Sequence, residues 1–482
     1  MNRFFLRKST QGWLLLILLL GIVLLFDAGL FPQWSLKYPM AWRIPLRYWI
    51  TDLMHWLVND TPSLINLTGI TFKEITRFIA TILTYPLDFS IDLLSTGFRF
   101  EPGDGPADIP RLPWLTVAGC SLWLAHRMGG KHLTLLVGAC LAYLIAFGQW
   151  TSAMMTLSSI LIAVPIGVVG GVALGILAFR VPGLEKPVTT LLDLMQTVPV
   201  FAYLVPVLFL FGFGPVASMI ATIIYAMPPM VRTTILGLQR VPEDIVEFGK
   251  MAGCTSGQLL WRVMMPSAQQ TLMVGVNQVI MLSLNMVIIA SMIGAGGLGF
   301  DVLSALRKLD IGAGLEAGLA IVVLAIVLDR LSQKYAELHG HYQYSAHKTT
   351  WVQQYRLLFL IASGSLLLGV LWSPLHTFPE PWEVTTAPFW EALVKWININ
   401  LFDYLDAFKN FILLNVLIPV KRFLLKAPWP ATVVLVSYAG YRLGGWKLGV
   451  GLLVLVLFLV VNGLWSKAMV TVYLCGMSVL FA

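Results

Sequence analysis

Few side chains in this chain stand at spacings that chemistry could use. There is no Ser–His–Asp set, paired-carboxylate arrangement or HExxH run at an interpretable spacing, so nucleophilic, acid–base and zinc-dependent hydrolysis have no visible machinery. Gly294-Ala-Gly296-Gly297-Leu-Gly299 satisfies GxGxxG. A dinucleotide site, however, needs a strand before that motif and a helix N-terminus after it to hold the pyrophosphate. Here the apolar run 268–294 comes first, and a tight turn or close helix packing is the better use of these glycines. No GxxxxGK[ST] occurs, so the chain has no Walker route to ATP and must borrow that activity. His339, His341 and His347 enrich the polar segment 333–350. No cysteine or paired carboxylate stands with them to complete a metal site, and the segment reads as a linker. Cys120, Cys140 and Cys475 lie in apolar runs and Cys254 in a polar one, which gives neither a disulfide framework nor a metal spacing.

What remains is uncharged polarity inside apolar sequence. In Asp193–Pro206, Gln196 and Thr197 offer hydrogen bonds, Pro199 and Pro206 interrupt the helix ladder, and Phe201 and Tyr203 add aromatic faces. Asn277, Gln278 and Asn285 place further neutral polar groups in the next long run. One use is helix-to-helix hydrogen bonding, worth roughly 0.6–2 kcal/mol per contact in membranes. The other is an uncharged lining for a solute that brings its own charge; zwitterions with a quaternary ammonium suit it, because aromatic faces attract such cations. Intramembrane charge is sparse, with Asp193 near the inner end of its span. An ion-coupled carrier would bury ionisable groups at mid-depth or show inverted repeats.

The elements that position these residues are membrane helices. With 58% hydrophobic and 12% charged residues, the chain is far from the roughly 25% charged composition of soluble domains. Spans are read near 13–31, 113–127, 132–148, 150–179, 187–212, 216–236, 268–294, 312–331, 355–373, 428–443, 446–463 and 465–482. That makes an all-α polytopic helical bundle of about twelve spans of the length a bilayer core demands. Met1–Phe31 has bases, then a long apolar stretch and no convincing cleavage site, so it reads as a retained helix rather than a signal peptide. With the N-terminus cytoplasmic, Arg3, Arg7, Lys8, Arg127, Lys131, Arg180, Arg232, Arg240, Lys250, Arg262, Arg330, Lys334, Arg442 and Lys447 all fall inside, as the positive-inside rule requires. The net charge of +8 is thereby explained through membrane topology. Nucleic acid is excluded as a partner, since the bases are spread over several short loops.

The domain reading follows. Residues 1–112 give the first span and an external segment, in which Ile75, Phe78, Ile79, Ile82 and Leu83 recur at helical spacing as in an interfacial amphipathic helix. Residues 113–334 form the core, 335–350 a cytoplasmic linker and 351–482 an incomplete second copy. The copies are parallel and 315 positions apart: Pro113-Trp114 matches Pro428-Trp429, Arg127-x-Gly129-Gly130 matches Arg442-x-Gly444-Gly445, and Gly148-x-Trp150 matches Gly463-x-Trp465. Leu401, Leu405, Phe408, Phe411 and Ile412 echo the first amphipathic helix. The second copy has no counterpart of the segment 247–266.

That segment, EFGKMAGCTSGQLLWRVMMP, is a polar interval between two strongly apolar spans, anchored by Glu247, Gly253 and Pro266. A membrane protein interrupted this way offers a folded docking surface to something in water. The spacing resembles the EAA loop of ABC-importer permeases, with Phe248 and Gly249 in place of two usual small residues and Met265 in place of the usual Leu. Taken with 193–214, 224–242, 275–299 and 307–333, it resembles the permease of glycine betaine/proline betaine importers from about 113 to 334. The resemblance implies a type I ABC-importer permease core in a bacterial inner membrane. It also implies ATP and Mg held by two copies of a partner ATPase, an external solute-binding protein, and a second permease copy, for which a homodimer is the expectation. Glu247 would begin the first coupling helix, Gly253 would supply the turn, Leu259–Met265, with Arg262, would form the second helix, and Pro266 would set the exit angle. Gln196, Thr197, Tyr203, Asn277 and Asn285 are the candidate solute path. The solute could equally be trimethylamine oxide, choline or another quaternary amine. A membrane scaffold or receptor that recruits a cytoplasmic partner is the reading from another class, and an integral-membrane enzyme lacks a catalytic constellation.

Overall fold

The computed structural model describes residues 38–59, 72–99, 108–340 and 378–481, with Trp34 and scattered positions between 356 and 367. The span read at 13–31, much of that at 355–373, and His341 and His347 of the linker lie outside the described residues. Those described are helices and turns with one isolated bridge, Phe98 to Ile109. In chain order the helices are α1 (Leu46–Asn59), α2 (Phe72–Ile91), α3 (Trp114–Ala146), α4 (Trp150–Arg180), α5 (Glu185–Thr197), α6 (Val200–Phe211), α7 (Pro215–Gln239) and α8 (Glu243–Met251). After a short helical run at Ser256–Ser267 come α9 (Gln269–Ser291), α10 (Gly297–Lys308), α11 (Ile311–Gly340), α12 (Ala387–Asn400), α13 (Phe402–Ile412, continued helically through Leu413–Leu417 and Ile418–Leu425), α14 (Trp429–Val461) and α15 (Trp465–Phe481). They divide into two compact units, Met1–Pro62 with Trp396–Ala482, and Ser63–Lys395.

The larger unit is built around α7, the most enclosed of the long apolar helices. Its partner α4 carries Gly167, Gly171 and Gly175 on one face. A Cβ on Gly171 would lie 2.6 Å from Met230 Cβ, and one on Gly175 would lie 2.6 Å from Thr234 Cβ. The two backbones therefore touch. Between lipid tails no hydrophobic gain comes from joining helices, so such close van der Waals approach is what holds them. Val279 of α9 completes a buried cluster with Met230, Leu238, Leu260, Met264 and Leu272.

Six described helices are long and apolar enough to cross a bilayer. The span read at 187–212 is not one helix but two, α5 and α6, bent by 102°. The break is at Val198, which is extended ahead of Pro199, as the residue before a proline prefers. Pro206 does not break its helix: α6 runs through it to Phe211, losing only the bond that its missing N–H would have made. Where two spans were read at 113–148, α3 counts as one of the six and is interrupted at Gly130 (φ 64°). The amphipathic segment is a helix apolar on both sides. Leu87 and Ile91 pack with Ala163 and Met219 while Phe78, Ile79 and Ile82 point outward, and Phe72–Thr96 itself counts among the six. The GxGxxG glycines form the turn into α10. Gly294, Gly296 and Gly297 all have positive φ, and a Cβ on Gly297 would lie 2.5 Å from Thr156 Oγ1.

Some positions 315 apart share local structure. Trp150 and Trp465, at equivalent positions, are both buried, and α14 breaks at Gly444–Gly445 where α3 breaks at Gly130. In the larger unit, Val384 N donates to Ala146 O at 2.7 Å. In the smaller unit, Ile44 N donates to Val461 O at 3.2 Å. The strap that precedes each copy's amphipathic segment thus rests on the other copy's helix pair. The compact units cut across the repeat boundary for that reason.

Candidate functional site

Glu247, Gly253, Leu259, Arg262 and Pro266 come together in one folded loop between α7 and α9. α8 starts at Glu243 behind the N-cap Pro242, so Glu247 lies within this helix and does not begin it; Glu243 and Asp244 stand in its first turn, where carboxylates interact favourably with the helix dipole. It ends at Gly253 (φ 78°). There Gly253 N donates to Lys250 O at 3.0 Å and Cys254 N to Gly249 O at 3.2 Å, the paired closure that needs a left-handed residue. The next helix opens two residues later. Thr255 Oγ1 accepts from Gln258 N and Gln258 Oε1 accepts from Thr255 N, a capping box legible as T-x-x-Q though not used in the sequence reading. This helix begins at Ser256, three residues before the Leu259 expected. It widens to a π-type turn over Leu259–Met264 immediately ahead of Pro266, whose missing N–H cannot serve the carbonyl four residues back.

Leu260 and Met264 anchor the second helix to the α7–α9 core. Gly249 is buried where α8 crosses it: a Cβ there would lie 2.6 Å from Leu259 Cδ1. The substitution of glycine for a usual small residue therefore preserves the close crossing. On the outer side of the loop Phe248, Met251 and Trp261 are 70, 79 and 59% exposed, an apolar surface that calls for a cover. Glu247, Lys250 and Arg262 are exposed among them. Arg180, at the end of α4, donates to Ser256 O at 3.1 Å. This tie between span and loop was not read from the sequence.

The candidate solute-path residues divide. Gln196 and Thr197 are exposed at the end of α5. Tyr203 of α6 donates back to Met195 O across the bend and meets Tyr225 edge-on at 6.2 Å. These three cluster at the break. Asn285 is exposed on α9 with Val274, Gln278 and Met281, a single stripe at helical spacing. Asn277 points elsewhere, its Oδ1 accepting from Ser332 Oγ of α11 at 2.6 Å. Within the bundle, a cavity of about 20 Å³ is lined by Thr156, Ser159, Ser218, Thr222 and Ser283 among others. It is large enough for a water and far too small for a trimethylammonium group. One charge escaped the sequence reading, and another has a partner that was not read. Glu316, buried near the start of α11, accepts from Thr385 and Thr386. Asp193 is exposed and pairs with Arg232 of α7. Among the described residues no cluster of three metal-ligating side chains occurs.

A helical membrane core with a preformed two-helix loop, anchored at its base and apolar on its free face, defines a membrane subunit built to carry an attached partner. Residues 163–335 match the family model of the binding-protein-dependent transport system inner membrane component. The trimethylamine N-oxide transport system permease protein of Pelagibacter ubique is 34% identical over 94% of this chain and 64% of its own length. That of Ruegeria pomeroyi is 32% identical over 97% and 69%. The glycine betaine/proline betaine transport system permease protein of Escherichia coli is 38% identical over 60% of this chain and 75% of its own length. The chain belongs to this family of inner-membrane permeases of betaine-type ABC importers, and it spans about two thirds of the length of the trimethylamine N-oxide relatives.

Proposed function

We propose that the chain is the permease subunit of a binding-protein-dependent ABC importer that moves a small methylated amine inward, driven by ATP hydrolysis on a separate ATPase. The carrying observation is the loop 243–267, capped at its turn and seated on the α7–α9 core with Phe248, Met251 and Trp261 uncovered. In this reading two ATPase copies grip two such loops, ATP-driven closure rocks the permease, and an external solute-binding protein delivers the solute. A second copy of the chain supplies the second loop, as twofold symmetry would arrange it. The N-terminus and 333–350 lie on the loop's side of the membrane.

For the solute, glycine betaine and trimethylamine oxide both fit a neutral path with aromatic faces, because each carries a methylated cationic nitrogen balanced by its own anion. The second is favoured by relatives that align over almost the whole chain. Uptake of labelled betaine, trimethylamine oxide and choline by vesicles holding the chain with its cognate ATPase and binding protein tests the reading. ATP-dependent uptake of none of them would reject it. A mass measurement showing one chain per two ATPases would reject the homodimer but leave the importer standing.

A further inference from the structure

The bend of α3 carries a site that coupling does not use. α3 folds back at Gly130, bringing Gly138 against Leu122 and Thr134 Oγ1 to 3.5 Å from His126 Nδ1. A groove of about 520 Å³ opens there, lined by His126, Lys131, Thr134, Leu135, Gly138 and Ala142 among others. Its floor is apolar and shallow, because Gly138 and Ala142 project little. Its mouth is basic: Lys131 and His126 line it, Arg127 follows His126 on the same helix with its guanidinium 5.7 Å from the Trp123 ring centroid, and Trp114–Ala146 contains no aspartate or glutamate.

The groove's depth in the membrane follows from the helices. The second half of α3 ends at Ala146, beside the start of α4. α4 spans about 46 Å at 1.5 Å per residue and reaches the coupling loop through Arg180 and Ser256. The bend, at the other end of that half-helix, therefore faces the coupling-loop side. The same chemistry recurs in the second copy, where Arg442 and Lys447 flank the Gly444–Gly445 break in a helix again without acidic residues. There Tyr441, Leu443 and Trp446 are exposed, as side chains at headgroup level are.

We propose that this groove binds one anionic phospholipid of the inner leaflet, with its phosphate against Lys131 and Arg127 and an acyl chain along Leu135, Gly138 and Ala142. Basic residues between helix ends on the cytoplasmic side attract such headgroups, and the lipid-exposed apolar floor fits a chain rather than a protein segment. A zwitterionic lipid satisfies the floor but not the net charge of the mouth.

The test uses the full chain in detergent, with dioleoyl phosphatidylglycerol or dioleoyl phosphatidylcholine added, read by native mass spectrometry and thermal unfolding. Phosphatidylglycerol is expected to stay bound and raise the melting temperature, with retention at least tenfold weaker in R127Q/K131Q. G138L, which fills the floor but keeps the charges, should also lose it. R127K/K131R should restore it, and R307Q/K308Q on α10 should bind as the wild type does. Equal retention by R127Q/K131Q and the wild type would overturn the proposal. So would equal stabilisation by phosphatidylcholine or by inorganic phosphate alone.

Discussion

The Glu316 carboxylate accepts the Thr386 hydroxyl at 2.8 Å across 70 positions of sequence. Thr385 Oγ1 and the Thr386 amide donate to the same group, and Tyr143 donates to the Glu316 carbonyl at 3.2 Å. A buried acid thus holds the strap 378–386 against the ends of α3 and α11. E316A leaves these donors without their charged partner and should lower stability by about 1.5–3 kcal/mol, the range for hydrogen bonds to charged groups. E316Q, which keeps an acceptor, should lose less. Thermal unfolding of the purified chain checks the order, and equal losses would remove the clamp from the account.

The same contact bears on truncation. Removing 351–482 takes away the strap and uncovers Glu316, so loss of ATPase binding in that variant would reflect damage to the core. A chain ending at 395 retains the larger unit as the contacts define it. It should capture the ATPase as the full chain does, measured by co-purification; failure to do so would mean that the second copy contributes to docking.

Gly249 sets the crossing of the two loop helices. In G249A the new methyl meets the end of the flexible Leu259 side chain, which can turn aside, so the cost should stay within about 1–3 kcal/mol, the range for overpacking. G249L cannot be absorbed, since Val263 Cγ2 also lies 3.3 Å from the Cβ position. Its ATPase affinity should fall at least tenfold in a binding titration. An unchanged affinity would show that the crossing angle is not what the partner reads.

Helices and punctuation were legible because apolar length and isolated glycines or prolines act locally. The bends at Gly130 and Pro199, the turn at Gly253 and the tight passage at Gly294–Gly299 are such cases. What escaped depends on which surfaces meet. Pro199 and Pro206 look alike in sequence, yet only the first stands where the chain turns, and α6 continues through the second. Glu316 read as part of an apolar run because its partners lie on a strap 70 positions away. Asn277 and Asn285 were grouped by type, although their positions on α9 turn one towards α11 and the other outward.

On the loop's free face, Phe248, Met251 and Trp261 are the largest exposed apolar side chains. Interfaces concentrate their energy in a few such anchors, each worth about 2 kcal/mol or more when truncated. W261A and F248A should each weaken ATPase binding by roughly tenfold or more at that value while leaving the melting temperature of the isolated chain within a degree or two. K250Q, a change in charge beside the patch, should alter the salt dependence more than the affinity. Titration of the ATPase against each variant distinguishes them, and wild-type affinity in both aromatic variants would move the docking surface elsewhere.

Asn277 and Asn285 separate packing from passage. Asn277 is held by Ser332, so N277L should destabilise the α9–α11 contact by roughly 0.6–2 kcal/mol, the range for a hydrogen bond between membrane helices. Uptake per folded molecule should then be little changed. Asn285 has its place on a stripe with Gln278 and Met281 that is exposed among the described residues. N285L should leave the melting temperature intact and lower solute uptake several-fold, with Q196L behaving alike at the end of α5. Uptake of labelled betaine and trimethylamine oxide, normalised to folded protein in the same vesicles, gives both quantities at once. If N285L transports normally while N277L does not, the path runs along the α11 side of α9 and the exposed stripe belongs to subunit packing.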